Sequence, residues 1–358
     1  MAPSAVFPGS TNVFIPSTNA DADGRLIVGF SRNIAKFGLP NYVQMVPVGA
    51  PLGYYMKITV QEAVRVVNTQ DFSWPDGQER PQRNRDTESF TFVPFMPQRY
   101  AYGFNLGTKT VQHATWPIKE AHAGIKASQC MTNRTVRMWQ ILTAPGTWMA
   151  AGDPNGDLTA DHYSATGTAL AGGPLYNGTS VNPLLKKAMN NIAIQITLDT
   201  ASAVTGQPDE IAFVMNPVSA ARLSISPEIH DFVKGSAFSP ELVRQGWTGA
   251  KYGLPPTYNG YKLVVEESSR VPTRVGDTLV RKFVVPDNAL VALSRVGGLE
   301  GVYGAPSFST ATIFHLEEMS IETKDDQWNR MVEGAVTEDV WEALTCPASG
   351  WYVADMSA

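Results

Sequence analysis

Residues 115–145 read TWPIKEAHAGIKASQCMTNRTVRMWQILTAP, the longest run in the chain that can form one uninterrupted helix. Thr115 or Trp116 can cap it, and Pro117 falls in the first turn, where a missing N–H costs nothing. Ile118, Ala121, Ile125, Gln129, Thr132, Val136, Trp139 and Leu142 recur at helical spacing. The predicted inner face is therefore apolar at its ends and small or polar in its middle. Pro145 and Gly146 stop the run. At about 1.5 Å per residue such a helix spans roughly 40 Å, longer than an ordinary domain needs. It reads as a strut across which other elements are laid.

Before the strut, residues 54–68 (YYMKITVQEAVRVVN) alternate. Tyr54, Met56, Ile58, Val60, Val64 and Val66 face one way, with Glu62 the single break, which predicts a long strand with that face covered. A return run, residues 88–102, is rich in Phe and Tyr, and Pro94 and Pro97 confine it to an edge. Between the two lies QDFSWPDGQERPQRNRDT, polar and turn-rich, with Arg80, Arg83 and Arg85 set against Asp71, Asp76, Glu79 and Asp86. These pieces predict a hairpin arm with a charged tip. A free two-stranded arm is marginal in water, so an arm of this length implies a partner to lie on. Residues 1–50 hold neither helix nor strand period, and scattered Leu26, Val28, Phe30, Ile34 and Phe37 suggest an extended segment packed on another surface.

After the strut, residues 146–181 read as a loop-rich insert. Asp153, Asn155 and Asp157 imitate a calcium loop, but Leu158 replaces the turn glycine and Ser164 the bidentate Glu, so turn chemistry is the better reading. Residues 183–200 predict a helix, 210–216 a short buried strand, 217–226 and 227–234 two helices, and 258–266 and 280–295 strands. That mixture makes a compact α/β or α+β lobe. From Thr310 the chain returns to strands around the polar turn KDDQWNR and ends on CPASGWYV. If these late strands pair with the hairpin base or lie on the strut, one domain is built from both ends of the chain and the middle lobe is inserted in it.

No catalytic motif stands out: there is no nucleophile elbow, phosphate loop or paired-His helix. Gly298, Gly301 and Gly304 follow a strand without opening a helix. His113, His122, His162, His230 and His315 are scattered, and each reads as packing rather than as a base or ligand. Cys130 reads as a small core residue, and Glu317 and Glu318 would point to opposite faces of a strand. No catalytic residue, cofactor or metal is assigned.

Charged residues make up only 17% and hydrophobic ones 43%, which describes a globular chain, and no apolar run is long enough to cross a bilayer. The opening MAPSAVFPGS lacks a signal-peptide pattern, and two cysteines are too few for a disulfide framework. A net charge of −5 argues against tight nucleic-acid binding, so a nucleic acid near this chain would be enclosed rather than gripped.

A loose arm, a long charged-tip hairpin, a strut helix, an α/β lobe and closing strands follow one another in an order that resembles the major capsid proteins of tailed bacteriophages, the Hong Kong 97-type fold. The pieces that carry it are YYMKITVQEAVRVVN, NGYKLVVEESSRV, FVVPDNALVAL and TKDDQWNRMVEGAVTEDVWEALTCPASGWYV. The resemblance implies an α+β fold with an N-arm over 1–50, an extended loop and its base over 51–112, and a peripheral domain with its spine helix and connecting loop over 113–180. An axial domain follows over 181–305 and closing peripheral strands over 306–358. It implies hexamers and pentamers of one chain forming a shell around double-stranded DNA, made in a bacterial cytoplasm and located in the virion. Portal, scaffolding and decoration proteins are partners of such shells, and no membrane is involved. Some members cross-link through a lysine on the extended loop, but no Lys lies between Lys57 and Lys109, so contacts here would be non-covalent. Intersubunit contact is expected of Tyr54, Val60, Trp74, Phe92 and Phe95, with Arg80, Arg83 and Arg85 pairing acids of neighbours. An encapsulin-like compartment and a soluble enzyme with an unrecognised site are the two other readings.

Overall fold

A computed structural model describes residues 37–58, 76, 90–114, 117–150, 158, 160–176, 178–179, 181–200, 202, 204, 210–235, 251–272, 278, 280–294, 309–326 and 328–357. Seven α-helices and fourteen strands are found among them. In order they are α1 (Leu39–Tyr42), β1 (Gln44–Pro47), β2 (Gly53–Ile58), β3 (Phe90–Phe95), β4 (Gln98–Gly107), α2 (Thr108–His113) and α3 (Ile118–Leu142). Then come β5 (Tyr163–Thr166), α4 (Gly167–Ala171), α5 (Leu184–Asp199), β6 (Ile211–Met215), α6 (Pro217–Ser224) and α7 (Pro227–Gly235). The chain closes with β7 (Thr257–Tyr258), β8 (Tyr261–Val265), β9 (Ser269–Arg270), β10 (Lys282–Phe283), β11 (Leu290–Ser294), β12 (Ala311–Asp326), β13 (Met331–Leu344) and β14 (Trp351–Asp355).

The strut is α3, 25 residues long, with Pro117 at its N-cap position rather than in its first turn. Its start carries Glu120, a charge suited to a helix N-terminus. Its stop is built by Trp148, fully buried, whose Nε1 donates to the Leu142 carbonyl at 2.9 Å and satisfies a last-turn acceptor. The expected inner row holds at the C-terminal end, where Val136, Trp139 and Leu142 are buried. Further back the helix turns a different face inward: Ala123, Cys130, Arg134 and Met138 are buried, while Ile125 is exposed. The apolar pattern missed this face because an arginine lies on it.

That face lies on a four-stranded sheet ordered β1-β12-β13-β4. Along β13 the even-numbered residues point at the helix, as the two-residue period of a strand requires. Val332, Val336 and Val340 are buried there, and Gly334 lets Phe104 approach so closely that a Cβ would sit 2.3 Å from its ring. Glu338 is on the same face and fully buried. It accepts from Arg134 Nε at 2.9 Å and Arg137 Nη2 at 2.8 Å, and Arg137 Nε donates to Glu342 at 2.8 Å. The Arg137 guanidinium also lies 3.7 Å from the centre of the Tyr100 ring. On the opposite face Asp339 takes a two-pronged contact from Arg99, at 2.9 and 3.0 Å.

The second sheet has six strands, ordered β5-β14-β11-β6-β8-β7. Its central strands β6 and β11 are buried at every residue, the signature of a sheet covered on both faces. Phe213, Met215, Leu290, Ala292, Trp351 and Val353 pack under α5. Val214, Val291, Leu293 and Tyr352 face the other way, joining Trp139, Leu142 and Trp148 with Leu39, Tyr42 and Ile313 in one core. The end of α3 is thus shared by both sheets.

Several placements differ from the sequence reading. Residues 37–47, read as part of an arm, form α1 and β1, and Phe37, Leu39, Tyr42 and Val43 are buried; residues 1–36 lie outside the described residues. The run 88–102 divides at Met96-Pro97 into β3 and β4, which belong to different sheets. The insert at 146–181 holds β5 and α4, and Ser164 of the apparent calcium loop is buried, accepting from Trp351 Nε1 at 3.2 Å. Residues 280–295 divide at the Pro286-Asp287-Asn288 turn, where Asn288 has a φ of 63°. β14, grouped in the sequence with the closing strands, pairs with β11 and β5 in the six-stranded sheet.

α5 has no capping side chain of its own at Pro183. The buried Glu228 carboxylate of α7 fills that role, accepting from Leu185 N at 3.0 Å and Lys186 N at 2.8 Å. α1 is pinned by Tyr42, whose hydroxyl accepts from Trp139 Nε1 at 3.0 Å and donates to Glu266 Oε2 at 2.8 Å. Burial holds the Glu266 carboxyl above its ordinary 4.5, against the hydrogen bonds from Tyr42 and Ser268 N that favour the anion.

Two outcomes follow from these buried carboxylates. Glu338→Ala strands Arg134 in the core and leaves Arg137 with Glu342 alone, and is expected to cost about 3–5 kcal/mol of stability in urea unfolding. Glu266 binds its proton more tightly folded than unfolded. Its contribution is complete below the ordinary carboxyl range and is lost as pH rises through the elevated folded value. The unfolding midpoint of wild type should therefore fall over that rise, and Glu266→Gln should flatten the fall.

Candidate assembly surfaces

β2 and β3 form a two-stranded ribbon that pairs Gly53 with Phe95, Tyr54 with Pro94 and Tyr55 with Val93. Its inner face is rooted on the four-stranded sheet by aromatic rings. Phe95 stacks on Phe314 of β12 at 5.0 Å between centroids, and Tyr55 stacks on the same ring at 5.4 Å. Gly53 is required opposite Phe95, since a Cβ there would lie 2.5 Å from the ring. The outer face is uncovered: Tyr54 is 64% and Phe92 63% exposed, with Leu52 and Met96 exposed beside them.

The alternation read in the sequence is correct at this root, but the covered side is the one opposite Tyr54. Both Tyr54 and Tyr55 are aromatic, so local pattern cannot rank the faces; Phe314, some 260 residues away in sequence, decides it. Tyr54 and Phe92 stand on the exposed face. Phe95 does not, being buried in its own subunit. Val60, Trp74, Arg80, Arg83 and Arg85 lie outside the described residues, as do Gly298, Gly301 and Gly304.

Other uncovered apolar side chains went unnoticed in the sequence. On α5 the inner side is filled by Leu185, Ala188, Met189, Ile192 and Ile196, and Ile194 and Leu198, one turn apart, are 60% and 67% exposed. The signal was present: Ile192, Ile194 and Ile196 at two-residue spacing cannot share one helical face. Trp328 at the β12–β13 turn is 96% exposed. Asp326 shapes that turn by accepting from Trp328 N at 2.9 Å and Asn329 Nδ2 at 2.7 Å. The bonds from Asn329 hold its carboxyl below the usual range.

The titratable groups are structural in their surroundings. His162 is fully buried, with Nδ1 2.7 Å from the Gly350 carbonyl, Nε2 2.6 Å from Asp199, and its ring tilted against Trp351. Burial pushes the Cys130 thiol well up, far from a reactive thiolate. Among the described residues no three His, Cys, Asp or Glu side chains converge as a metal site would need, and no helix is long and apolar enough to cross a membrane. A shallow, open depression lined by Tyr176, Arg222, Ile225, Ser226 and Pro227 holds no buried acid–base pair.

No protein-family model and no curated protein sequence matches the chain. Solved structures do. A phage-related protein from Bordetella bronchiseptica RB50 superposes with a TM-score of 0.56 at 12% identity, over 91% of this chain and 94% of that one. The mature capsid of bacteriophage PhiM1 gives 0.55 at 12% identity over 92% and 89%. The capsid of a native GTA particle gives 0.53 at 13% identity over 91% and 92%. The fold is the Hong Kong 97-type capsid fold, α+β, with the long spine helix laid on a sheet and an α/β lobe beside it.

The two faces of the ribbon separate by mutation. Tyr54→Ser with Phe92→Ser should leave urea stability within about 0.5 kcal/mol of wild type. Phe95→Ala, which empties the ring stack, should instead lower subunit stability by about 3–5 kcal/mol.

Proposed function

We propose that this chain is the major capsid protein of a tailed phage, assembling as hexamers and pentamers into an icosahedral or prolate shell around double-stranded DNA. The observation that carries the reading is the ribbon on a capsid fold, aromatic on the face its own subunit leaves bare. At roughly 25 cal/mol per Å², covering two aromatic side chains supplies on the order of a few kcal/mol per contact. Repeated around a shell, that term would dominate, while any ion pairs made by Arg80, Arg83 and Arg85 would set register, a surface pair being worth about 0.2–1 kcal/mol. Residues 58–108 hold no lysine, so the outer part of the loop offers no amine for a covalent bond and the contacts there would be non-covalent. The net charge of −5 suits an inner surface that encloses DNA without clamping it. The shell places the protein in the virion. Portal, scaffolding and decoration proteins would be its further partners.

The test is negative-stain microscopy with gel filtration of the purified protein and of a chain lacking residues 70–86. Wild type should run as capsomers or megadalton particles, and the deletion should be soluble yet close no stable shells. Normal particles from the deletion, or a wild type that stays a lone molecule at high concentration, would count against the reading. Protein cargo in place of DNA inside the particles would move the assignment to a compartment shell.

A further inference from the structure

Two strand edges of opposite charge have no pairing partner among the described residues. β13 pairs with β12 along its length, but on the other side β1 reaches only residues 312–315. Among the described residues nothing pairs with β12 beyond that point, and Ile321, Glu322, Thr323, Lys324 and Asp325 are exposed in succession. The open stretch is acidic, with Glu317, Glu318, Glu322, Asp325 and Asp326 against one lysine. Arg99 lies 3.5 Å from Glu317 and Lys119 3.9 Å from Asp325, while Glu318 and Glu322 make no salt bridge among the described residues. Charge on an edge bars indiscriminate pairing and leaves it open to a segment of the opposite sign.

The ribbon of β9 and β10 has that sign. Its register sets Arg270 directly opposite Lys282, and like charges across an antiparallel pair repel. Arg281 precedes Lys282, and nearby Glu267 is already engaged by Lys251 at 3.1 Å. Arg270 Nε is buried with no hydrogen-bond partner among the described residues. Val271 and Val280 are exposed on the flanks, as Ile321 is beside Glu322. An acidic partner relieves the repulsion within this ribbon, and the β12 edge offers one.

We infer that the β9–β10 ribbon of one copy docks on the open β12 edge of a second copy, with Arg270, Arg281 and Lys282 facing Glu318 and Glu322. Such a contact uses two different patches and therefore propagates from copy to copy. The inference rests on the shell reading above.

Charge exchange tests it. R270E/K282E and E318K/E322K should each cut the particle yield in sedimentation by about tenfold or more, with circular dichroism unchanged, and the protein carrying all four changes should recover most of the yield. Wild-type yield from either half-reversal, or no recovery in the combined protein, overturns the inference while leaving the shell reading intact. A wild type that forms no particles overturns both. Should a half-reversed protein misfold, zero-length carbodiimide coupling of wild-type particles mixed from isotope-labelled and unlabelled chains decides. Lys282 joined to Glu318 or Glu322 of a differently labelled chain supports the contact. Coupling of Lys282 only within its own chain, or its protection only by packaged nucleic acid, overturns it.

Discussion

A single buried carboxylate ties the strut to the sheet. Glu338 projects from β13 onto the helix face, where the small Cys130 and the two arginines Arg134 and Arg137 meet it. Little apolar area is available there to set how far the helix slides or rolls. Arg134 and Arg137, three residues apart on one helical face, reach the same carboxylate from two directions, and Glu342 takes the second arginine two strand repeats further on. A buried ion pair of this kind adds little net stability over an apolar replacement, but it is costly to misalign. Its contribution is to register: it fixes β13 under α3, and β13 in turn fixes β12 and β4.

From that alignment the position of the ribbon follows. β12 carries Phe314, and Phe314 is the floor on which Tyr55 and Phe95 stack. Just beyond these arginines, near the C-terminus of α3, Trp139 hands a hydrogen bond to Tyr42 and Tyr42 one to Glu266. This chain of contacts joins the start of the described chain, the helix and the end of β8 in the six-stranded sheet. The two sheets are thus coupled through one core at the helix C-terminus, whereas the far end of the helix rests on small clusters around Phe104 and Leu106.

What could be read in the sequence was whatever local spacing determines. α3, α5, α6 and α7 follow from spacing and from Pro or Asn at their starts, and β6 and the β12–β13 hairpin from short apolar runs and the polar turn between them. Asn216, for instance, caps α6 by accepting from Ser219 N at 2.7 Å. What could not be read was anything settled by a distant partner. β1 is four residues long and becomes a strand only because β12 lies beside it. The ribbon's covered face depends on Phe314, and Glu338 looks like a surface residue until Arg134 and Arg137 are placed. The order of elements, rather than any side-chain motif, carried the resemblance to capsid proteins, and it survives at sequence identities of 12–13% because order is a property of topology.

The uncovered apolar groups are scattered in the chain and in the fold. Tyr54 and Phe92 lie on the β2–β3 ribbon, Ile194 and Leu198 on the outer side of α5, and Trp328 at the tip of β12–β13. A twofold dimer needs one self-complementary patch, and a second and third patch would stay in water. Patches carried on three separate elements instead call for different neighbours at each. The same logic applies to the open edges, since an acidic strand cannot pair with its own copy across a twofold without setting like charges together. In the proposed shell each copy would cover them by meeting several others through unlike surfaces, which a closed arrangement allows and a twofold pair does not.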